Sequence, residues 1–433
     1  MHKGLLYEQL ERQVRRPDAD GEAKRIKTSW LPPLPALPPV ASSAPSAPDS
    51  KSLTVLKGHT QSCFLCAWGA DDVLASGGGD ASARLWKHGE QKAVMSTGEA
   101  ADVSALAWNA EGSVLATAST DGKVRLWNAE GELTRTLEHH SGTVYALDFA
   151  DSALLSVGHV RGALWRRRNT KKRADVRTAQ DSTAAVWSLE SFGLLDVVRD
   201  VHSGAILDGK WQPGSLTAVF ATCGVDGAAL VHFLQKPGAV VTLSGHAGEV
   251  NGVAWSSDGK QLATCSADHT ARIWAFAGET AAQAHELRGH TREVYTVQWC
   301  PVSSSSSPST NGGESSQPAT AAAAATTTAT RRVVATASLD ASVKLWDADS
   351  GAQLHSLTLH SDAVYGLAFD PTGERLCSGG FDGYCHLWNV ADASLVKSFK
   401  TGGGAGVFSV AWSRKGDKVA AALADGVVVV CEW

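Results

Sequence analysis

The sequence predicts an all-β fold, an eight-bladed β-propeller, on three observations. Eight aspartates (Asp80, Asp121, Asp181, Asp226, Asp268, Asp340, Asp382 and Asp425) each close a Gly/Ser/Ala-rich apolar stretch. Six residues beyond them stand Trp86, Trp127, Trp187, His232, Trp274, Trp346, Trp388 and Cys431, so tryptophan holds six of the eight places. Nine residues back from the aromatic end of the preceding strand come His59, His140, His202, His246, His290 and His360.

His, strand, Asp, strand and Trp, recurring about every 40 residues, is the WD40 signature of four strands per blade. A blade cannot bury its own faces, so the repeats are expected to stack into one ring rather than divide into separate domains.

Residues 1–51 come first. They are polar and then proline-rich (Pro32, Pro33, Pro35, Pro38, Pro39), which cannot bury a core, and a disordered lead-in is expected there. The propeller is expected over 52–433. Leu53–Leu56 stands where an outer strand precedes each His, while the last blade ends in Gly426–Cys431 with only Glu432 and Trp433 beyond. The first strand is therefore expected to complete the eighth blade and remove two open edges.

Four blades depart from the repeat. Blade two carries Glu99 in place of His, and blade four carries His232 in place of Trp. Blade eight has Gly403 and Cys431 and so loses both. Blade three is interrupted by an insertion at 160–180, VRGALWRRRNTKKRADVRTAQ. Without it the chain reads SVGHDSTAAVW, like the strand, turn and strand of its neighbours. The segment reads either as a basic import or nucleic-acid loop, or as an unspliced intron, since its Val-Arg start and Ala-Gln end are compatible with GT and AG. A second insertion, low-complexity 303–330, falls between the first two strands of blade six and is expected as a loop on the lower face.

No run of about 18 or more apolar residues occurs, so no membrane span is expected. The start, MHKGLLYEQLERQ, lacks the apolar stretch of a signal peptide. Cys223 and Cys265, at matching places in two second strands, read as small packing residues in a reducing compartment. Cys63 and Cys66 form a lone CxxC with no second ligand pair, so neither metal nor cofactor is expected. The 160–180 segment holds eight Lys/Arg and one Asp, hence +7; with −5 for the whole chain, the remainder carries −12. An acidic ring suits basic partners rather than direct nucleic-acid binding.

The sets His59, Asp80, Trp86; His246, Asp268, Trp274; His290, Asp340, Trp346; and His360, Asp382, Trp388 are expected to form hydrogen-bonded ladders inside their blades. A group such as His246, Ser266 and Asp268 resembles a hydrolytic triad. A nucleophile, however, needs one activated copy beside an oxyanion hole, and this set recurs around the ring. No phosphate-cradling loop, HExxH or GxSxG occurs. Scaffold is the reading, with no catalytic residues.

Propellers bind on the upper rim, where the chain enters the innermost strand. Four residues back from each strand-end Trp or Phe stand Phe64, Ser104, Tyr145, Leu207, Asn251, Tyr295, Tyr365 and Phe408, five of them aromatic. Two residues earlier come Asp102, Glu249 and Glu293. Aromatic faces and carboxylates together fit a Lys/Arg-bearing peptide. Phe64, Asp102, Tyr145, Glu249, Asn251, Glu293, Tyr295, Tyr365 and Phe408 are thus the expected partner-binding residues. The alternative is packing between blades.

Over about residues 53–431 the chain resembles the transducin-β-like (F-box-like/WD repeat) corepressor subunits. The resemblance rests on GHAGEVNGVAWSSDGKQLATCSADHTARIW, GHTREVYTVQW, HSGAILDGKWQ and the final FSVAWSRKGDKVAAALADGVVVV. It implies a nuclear adaptor of histone-deacetylase corepressor complexes that binds hypoacetylated histone tails and bridges to corepressor and ubiquitin machinery. That family carries an N-terminal LisH segment followed by an F-box-like stretch. HKGLLYEQLE resembles the end of that module, and oligomerisation is expected only with the LisH restored. Two rivals remain: a ubiquitin-ligase substrate receptor and a generic cytoplasmic or ribosome-assembly scaffold. Against the first, the one Trp-Asp pair, Trp346-Asp347, is followed by Ala348 and Asp349 rather than by x-Arg.

Overall fold

Short runs of small and β-branched residues, broken by Asp-Gly and Ser-Asp turns, favour strands over helices. In the computed structural model, which describes residues 53–98, 101–159, 182–199, 202–214, 219–236, 238, 240–301 and 332–432, they form thirty-two strands, numbered β1 to β32 in chain order. These make eight four-stranded antiparallel sheets, the blades of an eight-bladed ring. Among the described residues no helix is long and apolar enough to cross a membrane. The lead-in at 1–51, Glu99, Asp181 and the insertions at 160–180 and 303–330 lie outside the described residues.

Blade one consists of β2 (Cys63–Trp68), β3 (Val73–Gly78), β4 (Ser82–Lys87) and β5 (Glu90–Ser96), referred to as strands a to d from the centre outward. Strand b is buried at every position, because neighbouring blades cover both its faces; strand d is mostly exposed. This explains the Gly/Ser/Ala-rich stretch before each aspartate. A Cβ on Gly77 would meet Val103 Cγ1 of the next blade at 2.6 Å, and one on Gly379 would meet Val407 Cγ1 at 2.5 Å. Blade spacing at strand b is set by residues too small to push the sheets apart.

The two chain ends meet in blade eight. β1 (Leu53–Lys57) pairs antiparallel with β32 (Val427–Glu432), from Leu53 opposite Cys431 to Lys57 opposite Val427. The sheet runs β1, β32, β31 (Lys418–Leu423), β30 (Val407–Trp412).

Indoles at the end of strand a tie the blades together near the lower face. Trp68 Nε1 donates to Ala411 O at 3.1 Å and Trp108 to Ala67 O at 3.2 Å. Trp211, Trp255, Trp299 and Trp412 repeat the bond to Asp148, Lys210, Ala254 and Ala368 of the preceding blade. Phe149 and Phe369 occupy this place in blades three and seven and have no N–H to give. Arg414 of blade eight reaches past blade one to the Ala110 and Asn109 carbonyls of blade two, at 2.6 and 3.0 Å.

The basic insertion does not disturb its blade. β11 (Ala153–His159) and β12 (Ser182–Ser188) stay paired up to His159 opposite Ser182. Leu154 faces Trp187 there as Leu262 faces Trp274 in blade five.

Candidate peptide-binding face

The ladders are present, and they run inward from the upper face. In blade one the His59 Nδ1–H donates to Asp80 Oδ1 at 2.9 Å, and Ser76 Oγ bonds His59 Nε2 at 2.8 Å. Trp86 Nε1 then donates to Ser76 Oγ at 2.8 Å. Blades five, six and seven repeat this through Thr264, Thr336 and Ser378. Burial alone would raise the Asp80, Asp268 and Asp340 carboxyls. Hydrogen bonds from His59, His246 and His290, joined by Ser82, Thr270 and Ser342, outweigh it and hold all three well below the ordinary carboxylate value.

An Asp–His–hydroxyl chain has the order of a hydrolytic triad, but the hydroxyl is buried and already receives an indole N–H. It has no open side for a substrate carbonyl. The hydroxyl in the chain of blade five is Thr264; Ser266 instead donates to Gly248 O at 3.2 Å. The CxxC is equally closed. Burial pushes the Cys66 thiol up to about 12 and raises that of Cys63 further, and all eight cysteines are thiols rather than disulfides.

Departing blades use substitutes. In blade two Arg125 donates to both Ser119 Oγ (2.9 Å) and Asp121 Oδ2 (2.7 Å), and Trp127 still reaches Thr117. In blade three His140 Nδ1 bonds Thr183 Oγ1 at 3.0 Å. In blade four His232 Nε2 takes the place of the indole N–H and bonds Thr222 Oγ1 at 2.8 Å.

Above the ladders, the backbone fixes the acidic residues. The carbonyls of Asp102, Glu249 and Glu293 accept the N–H of Thr120, Ala267 and Leu339 in the turns between strands b and c, at 2.9–3.0 Å. All three side chains start from equivalent points on one face, and all three residues are half-buried.

Two residues further on, every blade has a β-bulge. Pairing of strands a and b skips Phe64, Ser104, Tyr145, Leu207, Asn251, Tyr295, Tyr365 and Phe408. A bulge leaves its extra residue out of the ladder and re-aims the side chain. Eight bulges therefore present one residue per blade around the mouth of the ring.

Their environments divide the ring. From blade six round to blade one the rings touch in an arc. Tyr295 lies 5.0 Å from Tyr365 and nearly perpendicular to it, Tyr365 6.2 Å from Phe408, and Phe408 5.7 Å from Phe64. Phe381, in the b–c turn of blade seven, joins at 6.0 Å from Tyr365 and 5.9 Å from Phe408. Sequence counting missed it, although it replaces the smaller residues found before Asp80 and Asp268. Tyr295, Tyr365 and Tyr145 are half-buried, whereas Phe64 (4% exposed), Phe408 (6%) and Leu207 (1%) lie beneath the surface. Ser104 and Asn251 serve as ties between blades: Ser104 Oγ donates to Val144 O at 2.5 Å and Asn251 Nδ2 to Val294 O at 3.0 Å. Asn251 is only 1% exposed.

The WD domain, G-beta repeat family matches at residues 50–87, 89–128, 238–275 and 351–389. The chain is 33% identical over 403 residues to the "WD40 repeat-containing protein HOS15" of Arabidopsis thaliana, covering 89% of this chain and 58% of that one. It is 35% identical over 401 residues to the "F-box-like/WD repeat-containing protein TBL1X" of Mus musculus, covering 89% of this chain and 67% of that one. The chain thus spans about three-fifths to two-thirds of the length of these relatives. Among solved structures, the C-terminal WD40 domain of Sif2 superposes with a TM-score of 0.66 at 17% identity, over 88% of this chain and 98% of that domain.

Proposed function

This chain belongs to the transducin-β-like, F-box-like/WD repeat family, and on that premise we propose that it is a non-enzymatic scaffold of a nuclear histone-deacetylase corepressor complex. In this reading its upper face binds basic histone-tail or partner peptides and so mediates transcriptional repression. The observation that supports it is the set of eight bulges, one per blade, at which Tyr145, Tyr295 and Tyr365 stand half-buried, with half-buried Asp102, Glu249 and Glu293 two residues before the bulges of their own blades. Phe64 and Phe408 are the buried members of the aromatic arc, and Asn251 ties blade five to blade six at its end. Carboxylates steer a basic peptide in, and the aromatic faces hold its ammonium or guanidinium groups at about 0.5–2 kcal/mol each. Corepressor and deacetylase subunits, and ubiquitin machinery, are the further partners.

Fluorescence anisotropy of the full chain with unmodified and acetylated histone H4 and H2B tail peptides tests this. The unmodified peptides are expected to bind. Acetylation, added salt and the double variant Glu249→Lys, Glu293→Lys are each expected to weaken binding, the variant by roughly tenfold. A well-folded ring that binds neither peptide overturns the reading and leaves a scaffold that meets its partners elsewhere.

A further inference from the structure

Four residues after the ladder aspartate, four blades carry a cation: Arg84, Arg125, Arg272 and Lys344. Two of these lie against the carboxylate, with Arg84 3.5 Å from Asp80 and Arg125 2.7 Å from Asp121. Blade seven places His386 there instead. It is 3% exposed. Where blades one and two set a guanidinium beside the ladder carboxylate, blade seven sets an imidazole.

The unpartnered ring nitrogen of that imidazole is the second observation. His386 Nδ1 is bonded to Ser398 Oγ at 2.8 Å, and its buried Nε2 has no hydrogen-bond partner. The His360 ring lies 4.3 Å away between centroids. Ser378 Oγ holds His360 Nε2 at 2.8 Å, which leaves Nδ1 facing both oxygens of Asp382 at 3.2 and 3.1 Å. One ligand atom from each of His360, Asp382 and His386 lies within 4.8 Å of the others.

We propose that blade seven binds a divalent transition-metal ion of the zinc class through His360, Asp382 and His386, the ion standing where other blades place a basic side chain. Zn–N and Zn–O bonds of about 2.0–2.2 Å in a tetrahedron put neighbouring ligand atoms about 3.3 Å apart. His360 and Asp382 already have about that spacing, and a ligand nitrogen of His386 lies within 4.8 Å of both. Both histidines have their other nitrogen on a serine hydroxyl, the outer support that orients a metal-bound imidazole. Binding displaces the proton that His360 Nδ1 gives to Asp382, and it leaves to solvent. Water completes the fourth position. Two nitrogens and a carboxylate oxygen also suit Cu2+ and Ni2+, whereas Ca2+ and Mg2+ prefer all-oxygen shells.

The test is equilibrium dialysis of the full chain against micromolar Zn2+, with His386→Arg and His386→Gln alongside. The arginine variant restores the residue type of blades one, two and five. If its bulk prevents folding, the glutamine variant decides. Wild type is expected to retain one zinc per chain, with both variants at least tenfold weaker. Co2+ is expected to give a tetrahedral visible absorption that the variants lose. All three proteins share the same cysteines, so the difference isolates this site. Equal retention by wild type and a folded variant, or none by wild type, overturns the proposal.

Discussion

Blades five, six and seven repeat one set of hydrogen bonds without omission, whereas blades two, four and eight each break it differently. Blade two has lost the histidine, and its strand-b hydroxyl, Thr117, still receives Trp127. Blade four has lost the tryptophan, and Thr222 joins His202 to His232. Blade eight has lost both, and only there does the hydroxyl go too, replaced by Ala421. The buried hydroxyl is thus the hub of the ladder, kept while either partner remains. A buried donor left alone costs about 1–3 kcal/mol, while removing all partners together is nearly neutral. Parts of this network disappear as sets.

The sharpest way to break the comparison is to remove the hub from a complete blade. Thr336→Val leaves His290 and Trp346 without their shared oxygen, in a place with no access to water. Urea unfolding is expected to show a loss of about 2–4 kcal/mol. Ala421→Ser, which puts a lone hydroxyl into the blade that lacks both partners, is expected to cost about 1 kcal/mol. Equal losses in the two variants would mean that the hydroxyl is not a hub.

Acid acts in two stages. Burial, then a neighbouring histidine, pushes His140 down to about 4 and His232 to about 3. His386 of blade seven is pushed down to about 3 in the same way. Their folded pKa values fall below the ordinary 6.5, so the unfolded chain binds more protons and stability drops as pH falls beneath that value. Each is expected to contribute about 1 kcal/mol of loss by about pH 5.5. The depressed Asp80, Asp268 and Asp340 give stability that is present above 3.8 and lost only as pH falls below it. Unfolding free energy followed against pH is expected to fall in two stages. Replacing His232 by Gln is expected to reduce the first stage and leave the second.

The last difference concerns packing, and it is read as a coupling. Opposite the ladder indole, strand b carries Leu74, Leu115, Leu154, Leu262, Val334 or Leu376; opposite His232 it carries Phe220. The Phe220 ring stacks on His232 at 4.8 Å and fills part of the space an indole would take. His232→Trp and Phe220→Leu are each expected to destabilise by about 1–3 kcal/mol, the first by overpacking and the second by a cavity. Together they are expected to recover at least about 1 kcal/mol of the summed loss, measured as a double-mutant cycle. Simple additivity would show that the exchange is not compensatory.

Blade number, ladder membership and the pairing of the chain ends were legible because each depends on residue types at fixed spacing. Asp80 to Trp86 is such a spacing, and so is the strand left over at Leu53. The bulges were not legible, since an extra residue in a six-residue strand leaves no mark on a period of two. Counting found Asn251 and Phe408, but their burial depends on neighbouring blades: Asn251 bonds Val294, 43 residues on, and Phe408 packs on Phe64 across the closure of the ring. Trp68 and Trp108 were read as strand ends, and their bonds to the preceding blade are visible only once the ring closes. Arg125 was hidden differently: nothing near Asp121 announces that an arginine has taken over from a missing histidine.

The pairing of β1 with β32 also sets a timetable for biosynthesis. The first strand leaves the ribosome with no neighbour to pair with. Its partner begins at Val427, 370 residues after Lys57, which at translation rates of about 5–20 residues per second is a delay of roughly 20–75 s. Throughout that time seven blades can stack while the ring stays an open crescent with two unpaired ends. Those ends are where a nascent chain of this kind is most exposed to wrong partners and where a chaperone has most to protect.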